Sequence, residues 1–172
     1  MPDPAVILPA EETDMYPTHN DLSESTRVEI ADLLNARLAD AIDLQTQLKQ
    51  AHWNVKGPTF IALHQLFDEI VEDVEGYVDE LAERAVELGG TAEGTARSVA
   101  KRSTLAEYPA AKSGTEHVEA VAKALAAFGA QARAAIAAAT KLDDADTADL
   151  FTEISRGLDK WLWMVEAHGQ SK

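Results

Sequence analysis

Five side chains between positions 52 and 83 have the types and spacing to hold a metal ion: His52, His64, Asp68, Asp79 and Glu83. At about 100° per residue, the last four lie within roughly 100° of one another around a helix. They form two pairs at i, i+4, His64/Asp68 and Asp79/Glu83, and each pair can point at one ion. The pair centres are separated by about 22 Å of helix, roughly ten times a metal–ligand bond. One helix therefore cannot close either site. A second copy laid antiparallel can. His64 faces Glu83, and Asp68 faces Asp79, when the residue numbers sum to 147, which puts a two-fold axis between Asp73 and Val74. Gly76 lies close by; a glycine inside a helix costs about 1 kcal/mol relative to alanine, and a tight helix crossing accounts for it. Such an interface produces two identical sites. His52 supplies a further nitrogen. An isolated His–Asp pair is more often a surface interaction, but the coincident sums and the second histidine favour a metal site shared between subunits.

Composition narrows the chemistry. The chain has 172 residues, no cysteine and a formal net charge of −15. One domain of this length buries roughly 70% of its unfolded surface, so no staple is required. Without cysteine there are no disulfides, thiolate zinc sites or iron–sulfur clusters, and His, Asp and Glu remain as ligands suited to iron, manganese or zinc. The acidic balance repels nucleic-acid phosphates and concentrates cations. Residues 1–22 form an acidic, proline-containing arm with Asp3, Glu11, Glu12, Asp14 and Asp21 and no Lys or Arg. They lack the basic start and apolar core of a signal peptide, and no apolar run reaches membrane-spanning length, so a cytoplasmic location is expected.

Helical periodicity dominates the remainder. A first long helix is predicted from Ser23 or Ser25, either of which can cap it, to Asn54, with Ile30, Leu34, Leu38, Ala41, Leu48 and His52 on one stripe. Gly57-Pro58 breaks it, and a second runs from Thr59 to Leu88, stopped by Gly89-Gly90. A connection spans Thr91 to Ser113, with a short helix over Thr95–Lys101. An alanine-rich third long helix covers Thr115–Lys141. A fourth is capped within Asp143–Asp146 and ends near His168-Gly169. Two hairpins joined by a long crossover make an all-α, ferritin-like four-helix bundle over residues 23–169, with a short tail at 170–172.

Several of these runs resemble one family. They are Lys49-Gln50-Ala51-His52-Trp53-Asn54-Val55-Lys56-Gly57-Pro58, then Phe60, Leu63-His64, Phe67-Asp68-Glu69, Asp79-Glu80-Leu81-Ala82-Glu83-Arg84 and Ser155-Arg156-Gly157-Leu158-Asp159-Lys160-Trp161-Leu162-Trp163. They resemble the Dps family, the twelve-subunit mini-ferritins of the ferritin superfamily. The resemblance implies a homo-oligomeric shell, a dodecamer. Its ferroxidase centres take His52, His64 and Asp68 from one subunit and Asp79 and Glu83 from its two-fold mate. It further implies oxidation of Fe(II), preferentially by hydrogen peroxide, with storage of Fe(III) in the hollow shell and protection against oxidative damage. Larger ferritins instead use Glu-x-x-His pairs within one bundle; the residues three before His52, His64, His117 and His168 are Lys49, Ile61, Gly114 and Val165, so that arrangement is absent. No H-E-x-x-H motif of a zinc hydrolase occurs either.

Other positions carry alternatives. Trp53, beside His52, is either a packed core aromatic or a one-electron donor that traps radicals. Glu69 and Glu72 are solvated or salt-bridged acids, or starting points for mineral. Asp143, Asp144, Asp146, Asp149 and Glu153 gather where the last helix begins; capping needs one or two of them. By the resemblance this region lines three-fold pores that admit iron, and Asp149 matches the pore position best, while Ala145 stands where some relatives carry another acid. His19, His117 and His168 read as surface residues. The alternative function, a DNA-compacting nucleoid protein, is disfavoured: the family's DNA binders use lysine-rich tails, and here the arm is acidic and the tail past Gly169 has only Lys172.

Overall fold

The computed structural model describes residues 15–170; the first fourteen residues of the acidic arm and the last two of the tail lie outside it. Five helices follow in order: α1 (Glu24–Asn54), α2 (Phe60–Glu87), α3 (Ala96–Arg102), α4 (Gly114–Lys141) and α5 (Ala145–Glu166). Among the described residues there are no strands.

Local chemistry sets the boundaries. Ser23 caps α1 by accepting from the Thr26 amide at 3.2 Å. Gly57, at φ +113°, makes the turn between α1 and α2 in a left-handed conformation that Cβ-bearing residues avoid. Gly89, at φ +89°, ends α2, and its carbonyl accepts from the Tyr16 amide at 2.7 Å. A side chain at Gly89 would collide with the Tyr16 carbonyl, so this glycine also lets the arm strap down here. Ser113 and Glu116 make a complete capping box on α4.

Contacts across the bundle give its topology. Arg27 donates to the Leu88 carbonyl at one end of the α1–α2 pair, and His52 meets His64 at the other, so these helices are antiparallel. Helices α4 and α5 form the second hairpin. Between hairpins, α1 packs on α4 and α2 on α5. Arg84, near the end of α2, reaches Thr147 and Asp144 at the start of α5, and Gly114, at the start of α4, lies against the Lys56 carbonyl just past the end of α1, so both of these pairs are antiparallel too. Helices α2 and α4 must then run the same way, and the crossover has to travel back along the bundle, a distance of about 40 Å for a 28-residue helix. It carries α3 and is pinned on α1 by Asp40, a fully buried carboxylate that accepts from the Thr104 amide at 2.6 Å and pairs with Arg37 at 2.9 Å.

The core is a single cluster along the axis. Ile30, Leu34, Leu38, Leu44 and Leu48 of α1 meet Leu63, Phe67, Ile70, Val74 and Leu81 of α2, Phe128 of α4, and Phe151, Ile154 and Leu158 of α5. Alanines at 124, 132, 135 and 139 in α4 keep that helix close to its neighbours. No helix among the described residues is long and apolar enough to cross a membrane.

Candidate metal centre

The end of α1 and the start of α2 hold the two histidines in a reciprocal clamp. The Nδ1 of His52 donates to the His64 carbonyl at 2.8 Å, and the Nδ1 of His64 donates to the His52 carbonyl at 2.9 Å. A carbonyl only accepts, so each Nδ1 carries the proton and each Nε2 carries the lone pair. The two rings stack with centroids 3.7 Å apart, and the Phe60 ring packs against His64 at a tilt, with centroids 5.1 Å apart. Both imidazoles are therefore fixed in tautomer and orientation before any metal arrives, the role that backbone acceptors play behind ligating histidines.

Asp68 stands one turn further along α2, with an oxygen 3.8 Å from His52 Nδ1. That oxygen is held by Lys49 at 2.6 Å. The ammonium donates to Asp68 and holds its carboxyl below the ordinary carboxylate range, against the opposing effect of burial. Lys49 escaped the sequence reading as a site residue. The signal was available: it sits three residues before His52, on the same face of α1.

Asp79 and Glu83 are exposed on α2, well removed along the helix from His64 and Asp68. Among the described residues, no group of three or more His, Cys, Asp or Glu side chains within one chain converges tightly enough to hold an ion. The fold thus brings His52, at the end of α1, together with His64 and Asp68 of α2, and leaves Asp79 and Glu83 apart, further along α2. Gly76 is exposed, with nothing within 4 Å of where its Cβ would be. Glu69 and Glu72 are also exposed on α2.

Trp53 is 67% exposed, so within one chain it is not a core aromatic. It lines a groove of about 770 Å³ together with Gln50, Leu105 and Tyr108. At the start of α5 the acids divide. Asp144 is buried, accepts from the Thr147 amide at 3.0 Å and hydroxyl at 2.6 Å, and pairs with Arg84 at 3.1 Å, so it is the cap. Asp143, at φ +58°, makes the left-handed turn that short polar residues tolerate. Asp146, Asp149 and Glu153 are exposed.

One histidine departs from expectation. His19 and His168 are on the surface, but His117 is 1% exposed. Its Nδ1 lies 2.6 Å from the Tyr108 hydroxyl, because the crossover folds Tyr108 back over the first turn of α4. Burial pushes the His117 pKa down and that of Tyr108 up to about 12.

Comparison with known proteins agrees with this architecture. The family model of the ferritin-like domain matches residues 31–171. The DNA protection during starvation protein of Agrobacterium fabrum is 40% identical over 158 residues, covering 91% of this chain and 98% of that protein. Among solved structures, the tetragonal form of Mycobacterium smegmatis Dps superposes with a TM-score of 0.85 at 34% identity, covering 91% of this chain and 93% of that one. A Dps protein from Vibrio cholerae, described as a member of a broad superfamily of ferritin-like di-iron carboxylate proteins, gives 0.82 at 26% identity, covering 87% and 94%. This chain belongs to the Dps family of ferritin-like proteins.

Proposed function

We propose that the protein oxidises Fe(II), preferentially with hydrogen peroxide, at centres shared between two-fold-related subunits, and stores the Fe(III) in a dodecameric shell in the cytoplasm. The observation that carries this reading is the clamped histidine pair beside Asp68, with a second acidic pair displaced along the same helix. His52, His64 and Asp68 offer nitrogen and oxygen donors to a borderline-hard cation, and Asp79 and Glu83 of the mate add hard oxygens. Carboxylates favour Fe(III) over Fe(II), because the extra charge is neutralised by anionic oxygen, so the donor set favours electron loss. Two Fe(II) ions give one electron each to one peroxide, which takes two protons and leaves as two waters. No hydroxyl radical is released in that stoichiometry, and both of its precursors are consumed. Trp53, close to His52 in sequence and solvent-exposed, is placed to give up an electron to a stray radical. Asp149 gathers iron at the three-fold pores, and Glu69 and Glu72 start mineral on the inner surface. The net charge of −15 opposes direct duplex binding.

The test uses half-sites. Chains carrying His64→Ala/Asp68→Ala, and others carrying Asp79→Ala/Glu83→Ala, should each form inactive assemblies. Co-assembly should restore part of the activity, since some interfaces then pair two intact halves. Failure to recover would place the whole centre inside one subunit.

A further inference from the structure

We propose that Ile61 and Val86 form an apolar lock that sets the register of the two-fold α2–α2 pairing, Ile61 of each chain seating in the cup around Val86 of a second copy. The inference rests on the shared-centre reading above, and it names the contact that brings the half-sites together.

Two observations carry it. First, Ile61 and Val86 are among the few large apolar side chains left exposed, at 60% and 55%. Both lie on α2, one near each end. Around the helix, Ile61 points with Asp79 and Val86 with Asp68, and all four fall within about 20°. The apolar pair therefore occupies the centre line of the face that carries the candidate ligands. Second, Ala82, Glu83, Val86, Glu87 and Ala92 line a concavity of about 410 Å³ at the end of α2. Most of the wall is apolar surface from Ala82, Val86 and Ala92, with a smaller share from Glu83 and Glu87, and the hollow fits one branched aliphatic side chain.

The register then follows from residue types. Ile61 and Val86 sum to 147, the value the ligand pairs require independently. A slip of one residue would set Ile61 against Ala85, which is buried in the core, or against Glu87, which is exposed and charged. A slip of one helical turn, to a sum of 143, would set Ile61 against Ala82 and would also bring His64 against Asp79. It would leave Val86 opposite Gly57, beyond the start of α2 and still uncovered. Only 147 buries both exposed aliphatics. The lock is needed because the remainder of this face is acidic: across the axis Asp68 would face Asp79 of the second copy, and Glu72 would face its Glu75. Before iron arrives, those charges oppose pairing, and apolar contact at the two ends holds it.

The absence of cysteine allows a clean test on metal-free protein. Ile61→Cys/Val86→Cys in one chain should oxidise to a covalent dimer on a non-reducing gel. Each single variant should remain uncrosslinked, because the two copies of position 61 lie about 37 Å apart along the pair, against a disulfide limit of about 7 Å between Cα atoms. Mixing the two single variants should restore crosslinking. Crosslinking of Ile61→Cys/Ala82→Cys in preference, or of neither double variant while circular dichroism shows both folded, would overturn the lock. The half-site experiment separates the two readings. Complementation without this crosslink removes the lock and leaves the iron chemistry; the crosslink without complementation does the reverse.

Discussion

Replacing Lys49 by methionine tests whether the lysine competes with the metal or supports its ligand. In the metal-free chain the Lys49 ammonium sits 2.6 Å from Asp68, on the oxygen nearest His52. A cation using that carboxylate must displace it. The two side chains are 32% and 44% exposed, so water screens the pair strongly. Exposed ion pairs of this kind are worth about 0.2–1 kcal/mol. At about 1.4 kcal/mol per tenfold, breaking the pair costs the wild-type site roughly 1.4- to 5-fold in cation affinity. Methionine keeps the length and the apolar stem and removes the charge. Lys49→Met should therefore bind Co(II), a redox-inert stand-in for Fe(II), about 1.4- to 5-fold more tightly in an anaerobic titration at neutral pH. The gain should shrink as salt rises, because screening weakens the competing pair in the wild type. The acid limb should move the other way. Lys49 is the main cause holding the Asp68 pKa below 3.8, so without it the carboxyl protonates at higher pH and the variant loses Co(II) sooner on acidification. Unchanged or weaker Co(II) binding at neutral pH would refute the competition and make Lys49 a support for Asp68.

Three further outcomes are expected. Asp144→Ala should lower thermal stability by about 2–3 kcal/mol, from a lost cap and a broken, largely buried pair with Arg84; Asp149→Asn should leave stability unchanged but slow iron uptake at low iron and low salt, and the opposite pattern by calorimetry and stopped flow would exchange their roles. His117 should make the protein acid-sensitive: its folded pKa is depressed, so stability is complete above the ordinary value of 6.5 and declines as pH falls from there toward the folded value. His117→Phe should flatten that decline in melting curves from pH 8 to pH 5, and parallel curves would show that another group is responsible. The metal-free protein should give no plasmid shift at moderate salt without divalent ions, and a stable, salt-sensitive complex would revive the nucleoid reading.

The helices were legible because their punctuation is local. Ser23, Gly57-Pro58, Gly89-Gly90 and Ser113 act on neighbouring backbone, and the observed ends of α1 to α4 fall within about two residues of the expected ones. The last long helix stops at Glu166, two residues before His168-Gly169, within the same margin. The histidine and acid pairs were legible because i, i+4 spacing survives any packing. What could not be read depends on distant partners. His117 is buried by Tyr108, and the path of the crossover decides that contact. Lys49 meets Asp68 only because the turn at Gly57 closes the hairpin in one register. Which aspartate caps α5 depends on the left-handed turn at Asp143, and three aspartates within four residues do not announce it. In the proposed shared centre the partners of Asp79 and Glu83 would come from a second copy, which the fold of one chain does not display.

The histidine clamp makes His52 and His64 behave as a unit under mutation. Each ring is aimed by the other residue's backbone, so truncating one side chain removes one ligand and also takes away one of the two bonds that tie the hairpin mouth. The surviving ring keeps its bond, but to a backbone that is no longer anchored from the other side. Double-substitution cycles on this pair should show losses smaller than additive, since the first change already forfeits part of what the second would remove. A lineage drifting away from metal use would then meet little resistance after its first histidine is gone. The two positions should vanish in quick succession, while the acids on the far end of α2, which share no such tie, could persist or change independently.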